Sequence, residues 1–385
     1  MVRPSSEAAN PRFTFADLFA GIGGIRAGLE SADGSCVYSV ESNRYARATY
    51  EANWGPVDAS RVQDVTVQDL NDPDILAAGF PCQPFSLAGV SKKVSLGRAH
   101  GFQDAVSGNL FFEIVRLIGG PTDYDPASLR EEAEIPDGDE RRFEAGTHPA
   151  ADAAPVLLLE NVRHLLTHDQ RRTYRVIRRR LTRSGYRVAA HVINGAAWVP
   201  QNRRRTIIVA VRNDLFEQEV RLPEPPDPTL GPGLQRSMLE HEPAVIGRYR
   251  LTDGTWRALE RHMNRHSARG NGFGRGIARF GAPTRTLSAR YYKDGAEILI
   301  PMPDGSEPPR RLTPKECAFL MGFTSEHLGK PFVWPDDVSD SQLYRQFGNS
   351  VVVPQFNWIA QALLERVEPT LIERRERRRL KSLVA

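Results

Sequence analysis

Cysteine is scarce in this 385-residue chain: Cys36, Cys82 and Cys317 stand far apart, with no Cys-x-x-Cys or Cys/His grouping. An odd, scattered set excludes a disulfide framework and a zinc site and fits a reduced intracellular protein. Long apolar runs are missing as well. No segment is long enough to span a bilayer, and the opening "MVRPSSEAANPR" lacks the apolar core of a signal peptide. Nor does one sign of charge dominate, since 51 Lys and Arg against 47 Asp and Glu leave a formal +4. Apolar residues at 40% and charged residues at 25% are ordinary for a soluble globular protein, and the length predicts two domains.

The near balance of charge hides an uneven distribution. "RRTYRVIRRRLTR", "QNRRRT", "RYRLTDGTWRALERHMNRHSARGNGFGRG" and "ERRERRRLKS" are strongly basic, whereas "PTDYDPASLREEAEIPDGDE" is acidic. Basic surface of this density suits a polyanion, and nucleic acid is the default partner. A solvated helix face is the plainer reading, and it fits "ERRERRRLKS" better than the glycine-rich "ARGNGFGRG".

The first half alternates strand-like and helix-like segments, the pattern of a mostly parallel sheet with crossover helices. "FTFADLFA", "CVYSVE", "DILAAGF" and "APVLLLENV" read as strands, and "YRVAAHVING" and "RRRTIIVAVR" as a final pair. "GIRAGLES", "SNRYARATYEANW", "NLFFEIVRLI" and "HDQRRTYRVIRRRLTRSG" read as helices, the last ended by Gly185. Residues 119–155 form a polar, acidic insert, predicted to be a mobile surface loop outside the core. The proline-rich "RLPEPPDPTLGPG" then marks a connector, so residues 12–215 are predicted as one domain and 216–310 as a smaller, irregular one. Residues 311–385 regain a helical pattern and return to the first domain; residues 1–11 form a flexible start.

Three stretches carry chemistry. In "GFPCQPFSLAGV" the strand ends at Gly79, and Pro81 and Pro84 forbid its regular continuation. Cys82 therefore stands where a sheet strand gives way to a loop, the usual place for chemistry in an α/β protein. A buried structural thiol is the alternative. In "LLLENV", Glu160 ends a buried strand on the same sheet edge, and a carboxylate there is costly to desolvate unless paired or catalytic. A structural Glu capping the next helix is its alternative. In "PQNRRRT", strand alternation puts Arg203 and Arg205 on one side and Arg204 on the other. Two guanidiniums beside a thiol favour the thiolate.

"DLFAGIGGIRAGLE" brings glycines between a strand and a helix, where backbone N–H groups can approach a ligand. It fails as a dinucleotide fingerprint, because Arg26 occupies the position that needs Gly or Ala for close helix–strand packing. Glu41, twenty residues after Gly21, ends the second strand, where a carboxylate can hold both hydroxyls of a ribose. Asp64 could receive an adenine amino group. Together these imply an adenosine-containing cofactor.

Taken in order, "DLFAGIGGIRAGLE", "GFPCQPFSLAG", "ENV", "QNRRR", "RTLSAR" and "QFGNSVVVPQ" resemble the motif series of the DNA cytosine-5 methyltransferases. The resemblance covers nearly the whole chain, apart from the N-terminal dozen residues and the acidic insert. "GVSKKVSLGRAHGF", "SARGNGFGRG" and "TRTLSARYYKDGAEILI" look like the bacterial Dcm-type enzymes, which act on the inner cytosine of CC(A/T)GG. The resemblance implies a Rossmann-like catalytic domain with a target-recognition domain, S-adenosylmethionine as cofactor, S-adenosylhomocysteine as product, and double-stranded DNA as partner. It also implies a bacterial, cytoplasmic, monomeric enzyme, with a cognate restriction endonuclease as a further partner. Cys82 becomes the nucleophile, with Glu160 at cytosine N3, Arg205 at O2 and Arg203 supporting the thiolate and the base. Phe19, Gly21, Ile22, Gly23, Glu41, Ser42, Asp64, Val65, Pro81, Leu110, Asn349 and Ser350 match cofactor positions. Arg269, Arg275 and Arg290 are candidate base readers, and Thr286 a phosphate contact.

Other classes fit less well. A nicotinamide oxidoreductase is disfavoured by Arg26 and lacks a hydride-transfer site, and a non-catalytic DNA-binding protein has no use for Cys82, Glu160 and Arg205 together. A family member acting on transfer RNA shares the motif set, but the large basic domain favours DNA. The insert and the short N-terminus depart from the pattern without touching a catalytic position.

Overall fold

The computed structural model of the chain describes residues 11–81, 110–122, 132–134, 148–270, 276–293 and 295–384. Cys82 and Arg275 lie outside these residues. Six strands build one sheet: β1 (Phe13–Leu18), β2 (Gly34–Val40), β3 (Ile75–Gly79), β4 (Val156–Val162), β5 (Tyr186–Asn194) and β6 (Arg204–Arg212). Their order is β2-β1-β3-β4-β6-β5. The pairs β1–β2, β1–β3 and β3–β4 are parallel, and β6 runs antiparallel to both of its neighbours. The fold is thus the α/β, mostly parallel sheet that the alternation predicts. The chain passes from β1 outward to β2 and then back across to β3. A crevice therefore opens past the ends of β1 and β3, the topological switch point where α/β sheets bind ligands.

Both faces of the sheet are covered, so its strands read as continuous apolar runs. Alternate residues serve opposite layers. Ala16, Leu76, Leu157 and Ile208 pack with Phe111, Phe112 and Val115 of α3 (Leu110–Leu117) and Val176 and Ile177 of α4 (Arg172–Arg183). Phe15, Ala77, Leu158 and Ile207 pack with Ile25 and Leu29 of α1 (Gly24–Glu30) and Phe356 and Leu363 of α10 (Val353–Val384). Helix α2 (Arg44–Trp54) starts at Asn43, whose side chain accepts from the Tyr45 and Ala46 N–H groups.

Three sequence readings are corrected. Helix α4 begins at Arg172 rather than His168, because Asp169, Gln170 and Arg171 all adopt positive φ and break the helical path. The insert is not wholly outside the core. Glu132 and Ala133 are buried, and Glu132 receives Arg180 Nε at 2.9 Å and Arg183 Nη1 at 2.6 Å. The C-terminal basic run is not a plain solvated face. Arg374 is 9% exposed and bonds Asp72 at 2.6 Å, and Arg375 donates to the carbonyls of Pro11 and Arg12.

The stretch after residue 311 touches both regions. Leu312, Cys317, Met321, Tyr344 and Phe347 share one apolar cluster with Leu287, Tyr291 and Ile300 from the second region and with Ile22 and Ala27 beside β1. Residues 312–347, including α7 (Pro314–Leu320), α8 (Ser325–Leu328) and α9 (Asp340–Asn349), therefore contact both regions, and Val351 and α10 pack onto the sheet. Within the second region, α5 (Pro243–Arg248) precedes α6 (Asp253–Ala268), whose Trp256, Leu259 and Met263 pack with Leu251 and Leu299 in a small core of their own.

Candidate active site

The turn after β1 builds the first wall. Phe19, Gly21 and Gly23 all have positive φ, so the chain folds back sharply before α1. A Cβ at Gly23 would stand 2.2 Å from Trp54 Nε1, and this tight approach lets the indole donate to the Ile22 carbonyl at 3.0 Å. Glu41, just past β2, fixes the turn: its carboxylate accepts from Gly21 N at 2.9 Å and Asn43 N at 2.7 Å.

Past this turn lies a cavity of about 700 Å³, a size ordinary for ligand pockets. Phe19, Gly21, Ile22, Glu41, Ser42, Pro81, Leu110, Asn349 and Ser350 line it, and so do Glu160, Arg203 and Arg205. Sequence positions from separate motifs thus converge on one space. Gly23 is buried behind the turn. Asp64 and Val65 do not line the cavity; Arg61, Val62 and Gln63 do. Asp64 is exposed and Val65 buried in the core.

The facing wall comes from β4 and the start of β6. Val162 pairs with Arg205 and Glu160 with Ile207, so Glu160 and Arg205 stand diagonally on one face of the sheet. Arg205 Nε meets Glu160 Oε1 at 2.9 Å, with the side chains 12% and 10% exposed. Burial pushes the Glu160 carboxyl above its usual range, while Arg205 and Arg203 pull the other way. A carboxyl tuned upward can hold a proton toward a ring nitrogen. Gly79 is its neighbour across the β3–β4 pair, and a Cβ there would be 3.7 Å from Oε2. Cys82 follows Pro81, which lines the cavity, but the thiol itself is outside the described residues.

The remaining predicted positions lie at the second region. Arg290 is exposed after "RTLSA", and Arg269 is exposed just past α6. Thr286 donates its hydroxyl to the Asn202 carbonyl, tying its segment to the start of β6. Sequence reasoning missed Gln342, Arg345 and Gln346 of α9, which line the cavity in the turns before Asn349. The signal was available, since α9 runs directly into the Asn349-Ser350 motif. It also missed Asp17 in "ADLFAG". Asp17 is fully buried near Arg26, neither carboxylate oxygen has a well-formed hydrogen bond, and burial raises its carboxyl to about 8.

A cavity at the switch point of a mostly parallel sheet, walled by a glycine turn, the Glu41 carboxylate and a buried Glu–Arg pair, is the kind of site at which α/β proteins bind ligands. Comparison gives the class its particular chemistry. Residues 13–126 and 151–365 match the C-5 cytosine-specific DNA methylase family, to which this chain belongs. The unmatched interval falls within the acidic insert. The chain is 40% identical to the DNA-cytosine methyltransferase of Escherichia coli K12, over 97% of this chain and 82% of that protein. It is 38% identical to the type II methyltransferase M.NlaX of Neisseria lactamica, over 91% and 96%. Among solved structures it resembles a mutant form of Spodoptera frugiperda DNMT2 with a TM-score of 0.62 at 18% identity, covering 91% of this chain and 99% of that one. That likeness concerns the fold. The protein is a DNA cytosine-5 methyltransferase. Among the described residues, no helix is long and apolar enough to cross a membrane.

Proposed function

We propose that the cavity holds S-adenosylmethionine and a cytosine flipped out of duplex DNA, and that the enzyme methylates the inner cytosine of CC(A/T)GG. The observation that carries this reading is the convergence of the glycine turn, Glu41, Glu160, Arg205 and Ser350 on one cavity. These residues fit the cofactor. The Gly21 and Asn43 N–H groups hold the Glu41 carboxylate at the turn, where its remaining lone pairs suit a ribose. Leu110, Asn349 and Ser350 offer a wall for the methionine end, and Val62 and Gln63, next to Asp64, line the same cavity. When bound, S-adenosylmethionine supplies an electrophilic methyl group.

The chain's own residues prepare the base. A stacked cytosine cannot enter such a pocket, so the base must leave the helix, at a few kcal/mol. The Cys82 thiolate adds to C6, which makes C5 nucleophilic. Glu160, with its raised pKa, holds a proton at N3, and Arg205 meets O2 while orienting Glu160. After C5 has been methylated, its proton leaves and the Cys82–C6 bond breaks, restoring the ring. Residues 216–310 choose the site, because the catalytic groups treat any flipped cytosine alike. Arginine reads guanine bidentately, at about 1–3 kcal/mol per contact, so Arg269, Arg275 and Arg290 suit a site with G·C pairs around its centre. CCGG or CCNGG is the second reading of the target. Expression in a methylation-free cytoplasm, followed by 5-methylcytosine mapping, tests both proposals. CC(A/T)GG should be methylated throughout, and Cys82→Ala should abolish the signal. Methylation at an isolated CG would refute the recognition reading, and an active Cys82→Ala enzyme the mechanism.

A further inference from the structure

We infer that Arg203 is a positioning residue, and that with Gln201 it forms a brace coupling the DNA-recognition segment to the cofactor wall. The inference rests on the reading of the cavity proposed above. Arg203 is 1% exposed, and among the described residues its guanidinium donates to three backbone carbonyls. Nη1 donates to Leu287 O at 2.8 Å, and Nη2 to Gly348 O at 2.8 Å and Ser350 O at 2.6 Å. One guanidinium therefore joins "RTLSA", in the region assigned to DNA, to the turn that carries Asn349 and Ser350.

Gln201 strengthens one arm. It is fully buried, accepts from Leu287 N at 2.8 Å, and donates to Leu320 O at 2.9 Å. Backbone pairing extends the joint, with Asn202 N bonding Thr284 O at 2.9 Å and Thr284 N bonding Pro200 O at 2.8 Å. Residues 200–203 thus grip 284–287 on one side, and Arg203 carries the grip across to 348–350. A planar fork with five donors can serve three carbonyls at once, whereas an ammonium acts as a compact point charge and reproduces only part of that geometry. Burying a guanidinium is costly unless its donors are used. Its bonds thus serve placement of two walls. A shift of 284–287 when DNA docks must then move the cofactor wall, and linkage makes the effect reciprocal.

The test is the affinity for S-adenosylhomocysteine with and without a duplex carrying the methylated site, and the affinity for that duplex with and without S-adenosylhomocysteine. Wild type should show mutual tightening of at least about fivefold, the low end of couplings between sites. Arg203→Lys should lose that coupling and also weaken S-adenosylhomocysteine binding in the absence of DNA. Gln201→Met, which keeps volume but drops the amide, should lose coupling with a smaller effect on the DNA-free affinity. Melting curves establish that both variants are folded, and Arg203→Lys alone suffices if Gln201→Met is not. Wild-type coupling in Arg203→Lys, with the loss confined to kcat, would show that Arg203 acts on the reacting groups directly and overturn the inference. No coupling in wild type also overturns it. A wild type that fails to bind S-adenosylhomocysteine at all overturns the cofactor reading, and the brace with it.

Discussion

Removing Arg205 should destabilise the protein in a manner that depends on pH. Glu160 is 8% exposed and has Arg205 Nε at 2.9 Å from Oε1. Arg205→Ala leaves a buried carboxylate without its close cation, a change that costs about 3–5 kcal/mol when the group stays charged. Protonation offers an escape. The folded-state pKa of Glu160 is already raised by burial, and loss of Arg205 removes the strongest opposing influence, so it must rise further. A raised carboxyl stabilises the fold most below its unfolded pKa and loses that contribution as pH climbs through the folded value. The deficit should therefore be large at pH 8 and shrink toward pH 6, by up to about 1.4 kcal/mol per pH unit. Urea denaturation of wild type, Arg205→Ala and Glu160→Gln/Arg205→Ala at both pH values measures it. The double variant should recover about 2 kcal/mol or more at pH 8, since a neutral amide needs no counter-charge. A loss below about 1 kcal/mol at pH 8, or one equal at both pH values, would refute the assignment of a desolvated, arginine-dependent carboxyl.

Asp17 makes a second pH prediction of the same sign. With its carboxyl raised from 3.8 to about 8 by burial, wild type should lose stability as pH rises through that window. Asp17→Asn should be the more stable protein at pH 9, by roughly 2 kcal/mol or more, and show little difference at pH 4; denaturant midpoints at the two pH values check it. Glu41→Ala should weaken S-adenosylhomocysteine binding by about tenfold or more, some 1.4 kcal/mol, read as a lost thermal shift against an unchanged, absent response to NAD.

The strands and their order of use were legible because sequence period reports packing directly. β3 and β4 are buried on both faces, so "ILAAG" and "VLLLENV" appear as apolar runs bounded by turn residues. Glu160 stood out because a carboxylate ending such a run has to be explained. The α4 start was not legible, since "HDQRRTY" has no glycine or proline to betray three consecutive positive φ values. Nor was the anchoring of the insert. Glu132 looks like any acid in an acidic stretch, and only its ion pairs with Arg180 and Arg183 distinguish it. Asp64 lies in a short turn whose preceding residues, Val62 and Gln63, line the cavity while its own side chain is exposed beside it.

The arginines show why composition alone misjudges a nucleic-acid surface. The runs in α4 and at the C-terminus are among the densest in the chain, yet Arg180 is fully buried against Glu132, and Arg374 and Arg375 tie α10 to Asp72, Asp74 and the residues before β1. Their charge is consumed within the fold. By contrast, Arg257, Arg261 and Arg265 recur every fourth residue on the exposed side of α6, opposite Trp256, Leu259 and Met263, and none forms an ion pair among the described residues. Arg290 is exposed likewise, and Arg345 stands exposed where α9 lines the cavity, stacked 5.0 Å from the Tyr292 ring. A phosphate backbone is attracted by charge that the protein has not already neutralised. The positive charge left available to a polyanion therefore lies with the sparser arginines of the second region and the cavity rim rather than with the densest runs.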